Sequence, residues 1–185
     1  MIANGSSLKW VETGYVLFAE SGPEGIQVEK MARILKANKS GFYHYFGDKE
    51  IFFSDLAEYH DQMGKNFAKE VETLKSFDPG YIDLLLKYKI QLFAQMQMKK
   101  HKEIVAFREA FIKVKKRNEK VQNTLWSNYL GIPEYPDLAL EMFDIARDMI
   151  FTRIYINELT HESLLQLFQV LRNTVAKIRK LPSKI

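Results

Sequence analysis

An all-α fold is the architecture this chain predicts, and three observations carry it. Apolar residues recur at helical spacing almost throughout. No run of clean apolar–polar alternation reaches strand length between turn residues. The five prolines (Pro23, Pro79, Pro133, Pro136 and Pro182) and most glycines (Gly22, Gly25, Gly47, Gly80 and Gly131) fall at breaks in that periodicity. Gly14 and Gly64 are the exceptions, set inside helical patterns. At 185 residues the chain is long enough for one domain or for a small head on a larger body.

The spacing predicts about nine helices. The first runs from Leu8 to Glu20 and stops at Ser21-Gly22. The second, Val28 to Leu35, has Met31, Ile34 and Leu35 for an apolar face and Ala32 for close approach. The third, Lys39 to Phe46, follows Asn38 as a capping residue and ends at Gly47. The fourth takes Asp48 as its N-cap and reaches Leu74; Asp78-Pro79 opens a fifth that reaches Met98. The sixth covers Lys102 to Lys116 and the seventh Asn118 to Leu130. After a rigid Gly131–Pro136 turn, the eighth covers Asp137 to Leu159 and the ninth Glu162 to Lys180.

Composition removes several function classes. The chain has no cysteine, which excludes disulfides, thiolate metal sites and cysteine nucleophiles. The four histidines are scattered without His-x-x-x-His spacing, so no metal site is expected. No paired carboxylates, phosphate loop or nucleophile motif point to an enzyme, and no cofactor is implied. Residues 1–7 are polar, and charge interrupts every apolar stretch short of the roughly 20 residues of a membrane helix. A cytoplasmic protein is expected.

Charge is informative by position. The net charge is only +4, and residues 1–75 carry nine basic against eleven acidic residues. Between Gln27 and Lys49, however, five basic residues face two acidic ones. Any nucleic-acid footprint is therefore small and focused on this segment. Its two helices are each about two turns long and closely linked. Helices this short are marginal alone in water and must be held by packing. Short helix, tight turn, short helix is the helix-turn-helix arrangement, whose second helix presents side chains to the major groove.

The residues Phe18-Ala-Glu-Ser-Gly22, Val28-Glu-Lys-Met-Ala32 and Ser40-Gly-Phe-Tyr-His-Tyr-Phe-Gly-Asp-Lys-Glu50 resemble the head of the tetracycline-repressor (TetR) family. Gly22, Met31-Ala32, Tyr43, Phe46 and Lys49 stand in the family's order and spacing, over about Leu8 to Leu56. The turn, usually Gly-Val-Ser in the family, is Lys36-Ala37-Asn38, and Gly41 replaces a frequent threonine. The resemblance implies a three-helix DNA-binding head, residues 1–49, on a helical ligand-binding and dimerisation body, residues 50–185.

Six residues are the candidate DNA contacts. Lys39 opens the third helix as a charge for guanine or phosphate. Tyr43 lies one turn on, with a hydroxyl suited to a phosphate oxygen. His44 stands beside it, and Gly41 occupies a contact position without a side chain. Lys49 and Gln27 sit at the starts of helices four and two, where helix N-termini favour phosphate. Phe42 and Phe46, four apart, read as head core with Phe18, Met31 and Leu35.

In the body, Tyr88, Phe93, Met96, Phe107, Phe111 and Trp126 are large side chains suited to an ordinary core or to a pocket for a small apolar or amphipathic ligand, with Arg108 and Arg147 as polar candidates. Helices eight and nine are apolar on most sides. Met142, Ile145, Met149, Ile156, Leu164, Phe168, Leu171 and Val175 are the candidate interface of a homodimer, the assembly the resemblance implies. The expected function is a ligand-responsive, DNA-binding transcriptional regulator, a repressor by the commoner family mode, acting as a dimer on a roughly palindromic double-stranded operator. The alternative is a helical small-molecule-binding or interaction protein that has lost DNA binding; the acidic balance of residues 1–75 and the bare Gly41 favour it.

Overall fold

The computed structural model describes residues 5–179. Lys180 and Pro182 of the predicted C-terminal stretch lie outside the described residues, as do the first four of the polar N-terminal stretch. Among the described residues no strand occurs, and nine α-helices follow one another: α1 Ser6–Ser21, α2 Val28–Leu35, α3 Lys39–Phe46, α4 Lys49–Val71, α5 Ile82–Lys87, α6 Lys89–Lys100, α7 Val105–Leu130, α8 Pro136–Arg153 and α9 His161–Arg179.

The total matches expectation, but the partition differs. The predicted fifth helix is divided at Tyr88, whose φ of −101° and ψ of 24° leave the helical region. The predicted sixth and seventh form one continuous α7, because no proline or glycine interrupts the chain between Lys102 and Leu130. Helix α8 stops at Arg153, where Ile154 turns extended, so Ile156 lies in the connection to α9.

Two compact units are distinguished: Met1–Asn66 with Ile90–Arg117, and Phe67–Lys89 with Asn118–Ile185. In the first, α1 packs on α2 and α3 around an aromatic cluster. Phe42 lies 5.7 Å from Trp10, 5.1 Å from Phe46 and 5.1 Å from Phe52, ring to ring. Phe18 and Met31 are fully buried with them, whereas Ile34, expected on the apolar face of α2, is 54% exposed, and Leu35 is only half-buried. The two in-helix glycines are explained by close approach. A Cβ on Gly14 would sit 2.4 Å from Phe52 Cζ, and one on Gly64 2.9 Å from Val114 Cγ1. A helical glycine weakens its helix by about 1 kcal/mol relative to alanine, and here the shortened distance between elements offsets that.

A buried polar chain crosses the same unit. The Tyr15 hydroxyl donates to His60 Nδ1 at 2.6 Å, His60 Nε2 donates to Gln95 Oε1 at 2.5 Å, and Gln95 Nε2 donates to the Phe111 carbonyl at 3.0 Å. The direction of each bond follows from the last, because an amide nitrogen can only donate and its oxygen only accept. Burial holds the His60 pKa down at about 4, so the ring is neutral and one tautomer satisfies both neighbours. Beside it, Asp61 accepts from Arg117 at 2.6 Å and pairs with Lys113 at 2.8 Å and Lys65 at 3.2 Å. Burial pushes the Asp61 carboxyl up, but the three cations outweigh it and bring the pKa to about 2. Lys113 and Arg117 are thereby committed to a structural ion-pair network.

The second unit has its own aromatic core. Phe77 stacks on Tyr129 at 3.9 Å and meets Trp126 and Phe168 at 5.4 and 5.1 Å. Trp126 donates its indole N–H to the Ala139 carbonyl at 2.7 Å, tying α7 to α8. At the start of α9, His161 bridges Asp83 at 2.8 Å and Asp78 at 3.0 Å. The Asp83 hydrogen bond above all raises its pKa, with Asp78 adding to the shift.

Candidate nucleic-acid interface

Local chemistry builds the α2–turn–α3 segment. Helix α2 starts after Gln27, which is extended (φ −109°, ψ 119°) and exposed. It ends at Lys36, held in the left-handed conformation at φ 52° and ψ 41°, with the Ala37 N–H donating to the Ala32 carbonyl at 2.9 Å. Lysine thus takes the backbone conformation in which glycine is the usual residue. Asn38 occupies the N-cap position of α3 in extended conformation, but its side chain makes no capping hydrogen bond. The predicted Asp48 cap does form: its Oδ1 accepts from the Ile51 N–H at 2.9 Å.

Helix α3 buries Phe42 and Phe46 and exposes the other side. Lys39, Tyr43 and His44 are all on the surface; Tyr43 is 53% exposed, its ring anchored edge-on against Phe42 at 5.4 Å. Gly41 is half-buried, and a Cβ there would meet nothing closer than Trp10 Cζ2 at 3.8 Å. The position is therefore open to a side chain, and no close packing demands glycine.

Two contacts were not foreseen from the sequence. Lys39 Nζ pairs with Glu29 Oε1 across the turn at 3.3 Å, both side chains being well exposed. The Glu29 carboxyl is held below its usual range by its own backbone N–H first and by Lys39 second. Both partners being solvent-exposed, the pair is weak and holds Lys39 only loosely. Lys49 Nζ donates to the Ile26 carbonyl at 2.9 Å. Its ammonium is thereby held at the start of α2, at the residue before Gln27. Lys36, at the turn, and Ser40, in the first turn of α3, are further exposed polar residues beside Lys39 that sequence reasoning did not single out. Lys36 was counted in the local charge, but its place at the tip of the motif depends on the left-handed turn.

The body residues are distributed over both units. In the first, Phe107 is fully buried against Phe18 at 4.8 Å and Phe53 at 5.1 Å; Phe93 and Met96 are buried, Phe111 is half-buried and Arg108 is exposed. In the second, Tyr88 packs edge-on against Phe67 and donates to Glu70 Oε1 at 2.6 Å, Trp126 belongs to the aromatic core, and Arg147 is buried and paired with Asp144 at 2.5 Å. Of the candidate dimer residues, Leu164, Phe168, Leu171 and Val175 are buried inside their own unit, as is Ile156. On α8, Ile145 is 44% exposed, with Met142 and Met149 half-buried on the same face. No group of three acidic or histidine side chains able to hold a metal occurs among the described residues, and no described helix is long and apolar enough to cross a membrane.

Residues 11–56 match the family model of bacterial regulatory proteins, tetR family. No curated protein sequence matches the chain. Among solved structures, a transcriptional regulator of the TerR/AcrR family from Aquifex aeolicus VF5 is 19% identical, with a TM-score of 0.61 over 94% of this chain and 99% of that one. A TetR-family structure from Mesorhizobium loti MAFF303099 is 14% identical, with a TM-score of 0.53 over 92% and 94% of the two chains. At these identities the likeness is one of fold; the sequence match to the head carries the functional relation.

Proposed function

We propose that this chain, whose residues 11–56 match the family model of bacterial regulatory proteins, tetR family, is a ligand-responsive repressor that binds a roughly palindromic operator as a homodimer. The observation that carries the reading is the exposed face of α3. Lys39, Tyr43 and His44 stand outward while Phe42 and Phe46 bury the other side, and Lys49 holds a charge at the start of α2. In this reading α3 enters the major groove. Lys39 exchanges Glu29 for a base edge or phosphate, the Tyr43 hydroxyl meets a phosphate oxygen, and Gln27 and Lys49 clamp the backbone where α2 begins.

Leu138, Met142, Ile145 and Met149 recur at helical spacing on α8, with Leu138 and Ile145 well exposed. We read this stripe as the surface that a second copy covers, since a soluble helix gains from hiding such a face. The ligand response rests on differential affinity of a small molecule for two forms of the protein. The protein acts in the cytoplasm, and no catalytic role is assigned to it.

Titration of the full chain against DNA from its own upstream region, at several salt concentrations, tests this. Binding in dimer units, with affinity falling steeply as salt rises, is the expected result. A folded protein that binds none of this DNA sinks the regulator reading in favour of the alternative that DNA binding has been lost. A monomer by light scattering at micromolar concentration refutes the dimer.

A further inference from the structure

The second unit contains a groove that DNA binding does not use. It encloses about 430 Å³ between the segment after α4, the end of α7 and one face of α9. That is within the range of small-molecule sites. Phe77 and Tyr129, stacked at 3.9 Å, form an aromatic wall, and Leu165 adds apolar surface from α9. Lys75 and Arg172, both exposed, supply positive charge.

The charge is the informative part. Asp78 also lines the groove, but its carboxylate is engaged by His161 Nε2 at 3.0 Å, and a second carboxylate on the same imidazole favours the protonated ring. Lys75 and Arg172 have no carboxylate partner among the described residues. The Arg172 guanidinium carbon lies 5.3 Å from the centroid of the Tyr129 ring, which places the cation beside the aromatic wall. The Tyr129 hydroxyl is buried without a hydrogen-bond partner among the described residues. Two cations without a carboxylate partner and an aromatic wall converge on one open volume.

We propose that this groove binds a small aromatic monocarboxylate, its ring against Phe77 and Tyr129 and its carboxylate on Arg172 and Lys75. A planar guanidinium fork matches a carboxylate in two parallel hydrogen bonds. The site shares only the neighbourhood of Trp126 with the pocket residues drawn from sequence. It deepens the ligand-response reading, and rests on that reading only for its consequence at DNA.

Calorimetric titration of the full chain with 2-naphthoate, alongside its methyl ester, tests the site. Trp126 lies 5.8 Å from Tyr129 and 5.4 Å from Phe77, so its fluorescence gives a second readout. Saturable binding is expected, weakened about ten-fold or more in the ester and in Arg172→Met or Lys75→Met, as loss of a charged hydrogen bond implies. Both substituted residues are exposed, and circular dichroism checks that the variants stay folded. No saturable binding, equal affinity for the ester, or unchanged affinity in both variants overturns the proposal. Operator release is measured separately. Binding without release upholds the site and removes the ligand response assigned through it; absence of binding removes the site and leaves a response through other residues standing.

Discussion

Lys36 has the one positive φ among the described non-glycine residues, at the tip of the DNA-binding motif. A Cβ in the left-handed region is strained by roughly 1–2 kcal/mol. Lys36→Gly is therefore expected to raise stability, by on the order of 1 kcal/mol after the added freedom of the unfolded chain is subtracted. If the urea midpoint falls instead, the turn is not strained as described. The same substitution removes an exposed charge beside Lys39, and DNA affinity should drop while stability rises. Two glycines give opposite expectations. Gly41→Ala makes only an ordinary contact with Trp10 and should strengthen α3 by about 0.5–1 kcal/mol. Gly14→Ala forces Phe52 to move and should cost about 1–3 kcal/mol. Thermal melting of both variants checks the pair, and a Gly14→Ala protein as stable as the parent contradicts the packing.

At the scale of elements, helix ends decide how the head is held. Asp48 caps α4 and Lys49, the next residue, ties it to the chain entering α2. Asp48→Ala should cost about 1 kcal/mol. Lys49→Ala should lower the slope of log affinity against log salt by about 1, because one phosphate charge is no longer neutralised. An unchanged slope with lowered stability assigns Lys49 to the tether alone. At the start of α9, His161 is clamped between two carboxylates, and its pKa is raised in the folded state. A raised histidine pKa stabilises the fold fully below the unfolded value and ceases to do so as pH rises through the folded value. Melting temperature from pH 5.5 to 8.5 should therefore decline more steeply in the parent than in His161→Asn; parallel curves refute the clamp.

His60, buried in the first unit, makes a pH-dependent contribution of opposite sign. Its pKa falls from 6.5 to about 4 on burial, so only the unfolded chain takes up the proton between these values. Stability is full above about pH 6.5 and decreases as pH falls towards 4, by on the order of 3 kcal/mol in all. His60→Asn keeps a donor and an acceptor but does not titrate. Its denaturation midpoint should be lower at pH 7 and flatter between pH 6.5 and 4.5. A slope equal to the parent's excludes His60 as the source.

Much of this was legible locally. The helix-turn-helix, Asp48 as a cap, and Phe42 and Phe46 as core follow from spacing and from side chains acting on their own backbone, which are short-range effects. The partition of the middle helices was not. A continuous α7 and a break at Tyr88 depend on what each residue packs against, and periodicity does not report that. The DNA-contact candidates were readable as residue types on a face. The Lys39–Glu29 pair, the Lys49 tether and the left-handed Lys36 required the two helices to be set against each other. In α9, the apolar stripe Leu164, Phe168, Leu171 and Val175 was readable as a buried face. Which surface buries it was not, since a hydrophobic stripe gains the same free energy against its own core or a partner's.

The sequence by itself determined the helical class and the place of the head, because both rest on spacing along the chain. It also fixed the identity of the exposed residues on α3. Only the tertiary structure decided that Gly14 and Gly64 are points of contact, that Tyr15, His60 and Gln95 form one buried chain, and that Arg172 stands over Tyr129. Those are meetings of residues up to 50 positions apart, Gly64 and Val114 being the most distant pair. Their energy depends on distances that folding, and not composition, sets.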